Sequence, residues 1–133
     1  MKHTAPLRFL GKSDLMITPI GLGCWQFSKK LNMAGKFWPN LDDDLINSIV
    51  KTSLDGGINW FDTAEVYGNG ASEKALAKAL SHKGQKPGQI MVATKWWPMF
   101  RSASNILKTI DQRIDALNPF PIDLYQVHQP WGF

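Results

Sequence analysis

Three apolar segments of this 133-residue chain each end on a residue that can take part in proton chemistry. The first ends at Asp62, the second at Lys95 and the third at His128, and 33 residues separate each from the next. That interval is about the length of one strand with its crossover helix and loops. Because parallel strands joined in this way bring their C-terminal ends to one face, the spacing predicts a chemical site on that face.

Strand and helix patterns alternate along the chain after a short hairpin, which is predicted over residues 7–18. Three strand–helix units follow over about 20–118, and a fourth strand is predicted over about 122–128. This order is typical of α/β folds with a parallel sheet. A complete (β/α)8 barrel needs about 250 residues. We therefore expect the first half of such a barrel, with its second half absent from these 133 residues.

The helices are predicted from apolar residues that recur at helical spacing. Three aspartates, Asp42 to Asp44, mark the start of the first helix, since negative charge is favourable near a helix N-terminus. Its buried face is predicted to comprise Leu45, Ile46, Ile49, Val50 and Leu54. Ser104 is the expected N-cap of the third helix, whose predicted buried face comprises Ile106, Leu107, Ile110, Ile114 and Leu117.

Composition indicates a soluble globular protein, with 44% hydrophobic and 20% charged residues. The net charge is +4, but the lysines and arginines are scattered, so no nucleic-acid-binding face is predicted. The single cysteine, Cys24, excludes an intrachain disulfide and favours a reducing compartment. Neither a signal peptide nor a membrane span is recognisable. These features predict a cytoplasmic protein that does not bind membranes.

Tyr67 follows Asp62 closely and completes a candidate catalytic set with Lys95 and His128. A free phenol has a pKa of about 10, and a nearby ammonium lowers it. We therefore expect Lys95 to approach Tyr67, Asp62 to hold Lys95 charged and oriented, and His128 to orient a carbonyl oxygen. Tyr67 would then act as general acid. None of these side chains is a reductant, so hydride must come from a cofactor.

The residues around these positions resemble the aldo/keto reductase superfamily. The resemblance lies in residues 57–68 with Ser72 and Glu73 after them, in the pair Thr94 and Lys95, and in residues 123–128. It covers essentially the whole chain but only the first half of the family's barrel. It implies reduction of aldehydes or ketones to alcohols with NADPH (NADP), and it implies the catalytic roles given above.

The resemblance also suggests contacts for the cofactor and for a small carbonyl substrate. Near the nicotinamide it implies Gly23, Cys24, Trp25 and Asp62; as walls of the substrate pocket it suggests Trp25, Trp96 and Trp97. In this family, the residues that grip the cofactor's phosphates lie in the second half of the barrel. The 133-residue chain is therefore expected to be inactive alone and not to bind NADPH tightly.

Two other functions were considered, a metal site and a non-catalytic binding module, and only the second is kept as an alternative. A metal site built on Asp62 and His128 would need further ligands at strand ends, and none is expected. Some relatives of the superfamily serve as accessory subunits of membrane channels, so a non-catalytic half-barrel that binds or assembles with a partner is the alternative. The open sheet edges are expected to promote self-association.

Overall fold

The computed structural model of the protein describes residues 6–29 and 33–129, in which a hairpin precedes a parallel sheet. The antiparallel hairpin pairs β1 (Arg8–Phe9) with β2 (Met16–Ile17). The sheet is parallel and four-stranded, and its strands lie side by side in chain order: β3 (Leu22–Gly23), β4 (Trp60–Asp62), β5 (Met91–Trp96) and β6 (Leu124–Val127). The predicted fold class, a short hairpin followed by parallel (β/α) units, is confirmed.

Three α-helices connect the sheet strands: α1 (Asp43–Asp55), α2 (Ala71–His82) and α3 (Ser104–Leu117). The long connection after β3 contains two short 3-10 turns, at Trp25–Ser28 and Ala34–Phe37. Asp42 caps α1, because its carboxylate accepts a hydrogen bond of 2.8 Å from the Leu45 amide. Ser104 is instead the first residue of α3, and Ala103 occupies the N-cap, so the predicted serine cap is wrong.

The core lies between the sheet and the helices, where Phe61 and Val92 of the strands pack against Leu76 and Leu80 of α2. Three residues predicted to be buried are exposed instead, namely Leu45, Leu107 and Ile114. Leu107, for example, is 79% exposed. In α3 the buried face includes Arg113, which reaches two buried carboxylates, and this orientation turns Leu107 and Ile114 toward solvent.

The opposite face of the sheet carries Trp60 and Asp62, since successive side chains of a strand point to opposite faces. The Trp60 indole crosses over Gly21, where a Cβ atom would lie 2.2 Å from the ring. The indole N–H donates to the Thr18 carbonyl at 3.0 Å, which holds the ring against the chain just before β3. Glycine at position 21 is therefore required by close packing. No helix within residues 6–29 and 33–129 is long and apolar enough to cross a membrane.

Candidate active site

Asp62 and Lys95 form an ion pair at the C-terminal ends of β4 and β5. The Lys95 ammonium lies 2.6 Å from Asp62 Oδ2 and also donates to the Thr63 carbonyl at 2.8 Å. The second oxygen of Asp62 accepts a hydrogen bond of 3.0 Å from Gln126 on β6. Only 13% of the Lys95 side chain and 27% of the Asp62 side chain is exposed. The two charges are thus oriented by each other and by neighbouring acceptors and donors.

Tyr67 lies in the loop between β4 and α2 and faces this ion pair. The Lys95 ammonium is 5.2 Å from the centroid of the Tyr67 ring. The Trp25 ring stacks on the Tyr67 ring at 5.7 Å, with an angle of 17° between the planes. Gly68 has a φ of 70°, and a Cβ there would lie 2.2 Å from the Ser28 carbonyl oxygen. Glycine therefore lets the Tyr67 loop pass directly against the turn that carries Trp25.

The pKa of Tyr67 is raised to about 12, mainly because the phenol is partly buried and further because of the Asp62 charge and the neighbouring Cys24 thiol. We predicted a pKa lowered by Lys95, but burial and the Asp62 charge give this pKa a net upward direction. The Lys95 ammonium is held by Asp62 and by the Thr63 carbonyl, and the Asp62 carboxylate disfavours a second negative charge nearby. Tyr67 is therefore fully protonated at neutral pH and has a proton to donate.

His128 follows β6 directly, and its amide donates to the Trp96 carbonyl at 3.0 Å. Its ring lies between two aromatic rings and meets both nearly edge-on. The centroid distance is 5.4 Å to Tyr67 and 5.3 Å to Trp97. Burial, and then the Lys95 charge, lower the pKa of His128, so the imidazole is neutral at neutral pH. Its Nδ1 atom is buried and has no hydrogen-bond partner within the described part of the chain.

The tryptophans predicted to line a pocket divide into two groups. Trp25 and Trp97 lie in the site, and Trp25 also meets the rings of Phe37 and Trp38 at 6.0 and 5.6 Å. Trp96 does not lie there. It points from β5 toward α3, where its indole N–H donates to the Asn105 side chain at 3.1 Å. The prediction for Trp96 is corrected, because alternation along β5 places Lys95 and Trp96 on opposite faces.

Gly23 and Cys24, which were predicted to contact a cofactor at the end of β3, differ in their exposure. Gly23 pairs in register with Asp62, and nothing lies within 4 Å of the place where its Cβ would be. Cys24 is fully buried, and its amide donates to the Asp62 carbonyl at 2.8 Å. The Cys24 carbonyl accepts the Ser72 hydroxyl at 2.6 Å. Its backbone groups and thiol therefore support the strand end, and the predicted cofactor contact of Cys24 is corrected.

A buried charged cluster that was not predicted from the sequence lies beside the site. Glu65 and Glu73 are buried, and both lie close to the Arg113 side chain of α3. Burial raises the pKa of Glu73, although the Thr94 hydroxyl donates to its carboxylate at 2.6 Å. An arginine among the apolar positions of a predicted helix was the available signal. No group of three or more histidine, cysteine or acidic side chains in the described ranges could hold a metal ion.

The chain is similar to a family of known proteins. Residues 19–132 match the model of the aldo/keto reductase family. The chain is 34% identical over 119 residues to the aldo-keto reductase YhdN of Bacillus subtilis, covering 84% of this chain and 34% of YhdN. It is 36% identical over 134 residues to a Schizosaccharomyces pombe protein named, provisionally, as a voltage-gated potassium channel subunit beta, covering 94% of this chain and 37% of that protein.

A solved structure matches the fold over nearly the same share of the chain. Aldo-keto reductase AKR11C1 from Bacillus halodurans, determined in its holo form, superposes with a TM-score of 0.73 at 28% identity. The match covers 94% of this chain and 40% of AKR11C1. The chain spans about a third of the length of the curated relatives it matches. Since the family model matches most of its length, the chain belongs to the aldo/keto reductase family.

Proposed function

We propose that this chain carries the proton-donating part of an active site that reduces aldehydes or ketones to alcohols with NADPH. The observation that carries the proposal is the meeting of Tyr67, the Asp62–Lys95 ion pair and His128 at the ends of three neighbouring strands. Each side chain comes from a different strand or loop. Such a convergence of complementary acid–base groups is what carbonyl reduction requires.

In the proposed reaction, the Tyr67 phenol gives its proton to the carbonyl oxygen as that oxygen gains negative charge. The ammonium of Lys95 stabilises the phenolate that remains, and Asp62 keeps the ammonium oriented. Because its pKa is lowered, His128 is neutral and donates a hydrogen bond to the same oxygen without supplying a proton. The high pKa of Tyr67 in the resting site keeps the proton in place until negative charge develops.

The site also fits the nicotinamide end of the cofactor. Gly23 leaves open space beside Asp62, and Gly23, Asp62 and Trp25 would hold the nicotinamide ring there. The cofactor supplies the hydride that none of the side chains can provide. The remaining aromatic walls, Trp25 and Trp97, favour a small carbonyl compound with an apolar substituent. We keep these two tryptophans as the proposed substrate contacts and leave Trp96 out.

A chimera tests the proposed activity. In it, this chain replaces the matching segment of YhdN, which contributes the rest of its own length. We expect the chimera to oxidise NADPH at 340 nm in the presence of small aldehydes or ketones, whereas the 133-residue chain alone should show no turnover. A chimera that folds and binds NADPH, yet reduces no carbonyl compound in a broad panel, would contradict the proposal.

A second candidate is a non-catalytic binding or assembly module. The observation in its favour is the 36% identity to the provisionally named potassium channel subunit of S. pombe. This candidate needs a partner but does not need Tyr67 as an acid. The chimera separates the two: carbonyl reduction that depends on Tyr67 favours the enzyme, and cofactor binding without any reduction favours the module.

A further inference from the structure

One buried carboxylate, that of Glu65, joins the two loops that follow β4 and β5. Its Oε1 atom accepts the amide N–H of Trp97 at 2.6 Å and an Arg101 N–H at 2.5 Å. Its Oε2 atom accepts an N–H from Arg113 of α3 at 3.1 Å. All three partners are donors, so both oxygens are engaged as acceptors. The Glu65 side chain is only 6% exposed, so water has little access to take the place of these donors.

The two loops joined by Glu65 carry the two aromatic rings that enclose His128. Tyr67 lies two residues after Glu65, and Trp97 is the residue whose amide Glu65 binds. The His128 ring meets both of them at nearly right angles, with centroid distances of 5.4 and 5.3 Å. The backbone of Glu65 adds a further tie, because its amide donates to the Lys95 carbonyl at 3.2 Å.

We propose that Glu65 is a positioning residue, which sets the separation of Tyr67 and Trp97 and thereby the orientation of His128. The inference rests on the proposed function in one respect, since the orientation of His128 matters because that ring directs the carbonyl oxygen. The hydrogen bonds of the Glu65 side chain go to Trp97, Arg101 and Arg113 and, within the described residues, to none of the four proposed catalytic side chains. Glu65 acts through the Trp97 backbone and through the loop that carries Tyr67.

Glu73 provides a matched comparison within the same cluster. It is also a buried carboxylate and lies 3.1 Å from Arg113, although the two atoms lack hydrogen-bond geometry. Its hydrogen bond goes to the Thr94 hydroxyl, on the face of β5 away from the site. Glu73 therefore shares the charge and burial of Glu65 but holds neither aromatic wall. If the cluster only stabilised the fold, replacing either glutamate would affect the Trp97–His128 contact to the same extent.

Glu65→Gln separates positioning from general stability. A carboxylate offers two charged acceptor oxygens, whereas glutamine offers one neutral oxygen, which cannot accept from all three donors and accepts the Trp97 amide more weakly. We expect the Trp97 loop to move away and the Trp97–His128 contact to loosen. Glu73→Gln should leave that contact intact, although it also removes a buried charge.

The test is proton NMR of the 133-residue chain with labelled histidine, tyrosine and tryptophan, since the chain has only three histidines and two tyrosines. The wild type should show cross-relaxation from the His128 ring protons to both the Tyr67 and Trp97 rings. In Glu65→Gln we expect the Trp97 cross-peaks to be lost, and in Glu73→Gln both sets should persist. If Glu65→Gln is unfolded by circular dichroism, Glu65→Asp replaces it, because the shorter side chain withdraws from the Trp97 amide.

Unchanged Trp97 cross-peaks in a folded Glu65 variant would overturn the proposal, as would an equal loss in Glu73→Gln. This readout needs neither cofactor nor turnover, so it can fail while the proposed activity stands, and the reverse also holds. In the YhdN chimera, Glu65→Gln should lower kcat for carbonyl reduction and leave the dissociation constant of NADPH unchanged. A purely structural residue would instead reduce the amount of folded protein without altering kcat per folded molecule.

Discussion

Lys95 reaches from β5 to place its ammonium 2.6 Å from the Asp62 carboxylate on β4, although 33 residues separate them in the sequence. The register of the two strands produces this contact. Asp62 pairs with Ala93, so Lys95 extends two residues farther along the same face of the sheet. The ion pair thus depends on the parallel pairing of β4 and β5 as well as on the presence of Asp62 and Lys95 in the sequence.

Breaking this ion pair should cost stability. Replacing Asp62 by Asn or Lys95 by Met leaves one mostly buried charge without its partner, and we expect each change to lower the free energy of unfolding by about 2 kcal/mol or more. Urea unfolding measures the effect. Lys51→Met provides the control, because it breaks the exposed Lys51–Asp55 pair of α1 and should cost less than about 0.5 kcal/mol. Equal losses at both pairs would contradict the buried geometry.

The two tyrosines should titrate late in the folded chain. Burial raises the pKa of Tyr67 to about 12 and raises that of Tyr125 as well. A raised pKa means that folding favours the protonated phenols. Their contribution to stability is then complete below the unfolded pKa of about 10 and is lost as the pH rises through the folded value. Absorbance at 295 nm should show less phenolate at pH 10 in the native chain than in denaturant, where both tyrosines should titrate near that pH. An equal amount of phenolate at pH 10 in the native and the denatured chain would contradict the burial of the two phenols.

Gly21 and Gly23 lie on the same short stretch of chain but should respond differently to alanine. Gly21→Ala forces a methyl group into the Trp60 ring, which is held by its bond to Thr18, and should cost about 1–3 kcal/mol. Gly23→Ala meets open space and should change the free energy of unfolding by less than about 0.5 kcal/mol in the absence of cofactor. Thermal or urea unfolding of both variants checks this. Similar losses at both positions would contradict the close Trp60 contact.

Self-association is the expected behaviour of the 133-residue polypeptide. In the described part of the chain, β3 and β6 each pair with a strand on one side only. Large apolar side chains next to these edges are exposed, with Ile20 at 70% and Val127 at 59%. Light scattering after size-exclusion chromatography should detect dimers or larger species, and Val127→Lys should reduce them. A wild-type monomer at all concentrations would contradict this expectation.

The order of strands and helices, and the positions of the candidate catalytic residues at strand ends, could be predicted from the sequence. The four candidate catalytic residues end apolar segments or follow one closely, and parallel strands bring such positions together. Periodicity could not reveal that Trp96 faces α3, because that depends on which side of β5 holds Lys95. Nor could it reveal the direction of the Tyr67 pKa, which is set by burial and by the Asp62 charge. Leu107 and Ile114 were misassigned because the ion pairs of Arg113 orient α3.

The most direct test of the proposed function compares Tyr67→Phe with Tyr125→Phe in the YhdN chimera by single-turnover oxidation of NADPH. Both changes remove one phenolic hydroxyl, but Tyr125 lies on β6 near Arg113 and the buried glutamates, away from the site. We predict that Tyr67→Phe slows carbonyl reduction by about 10²- to 10⁴-fold with NADPH affinity unchanged, whereas Tyr125→Phe retains near-normal chemistry. Near-normal single-turnover rates in Tyr67→Phe would contradict the central claim that Tyr67 is the proton donor.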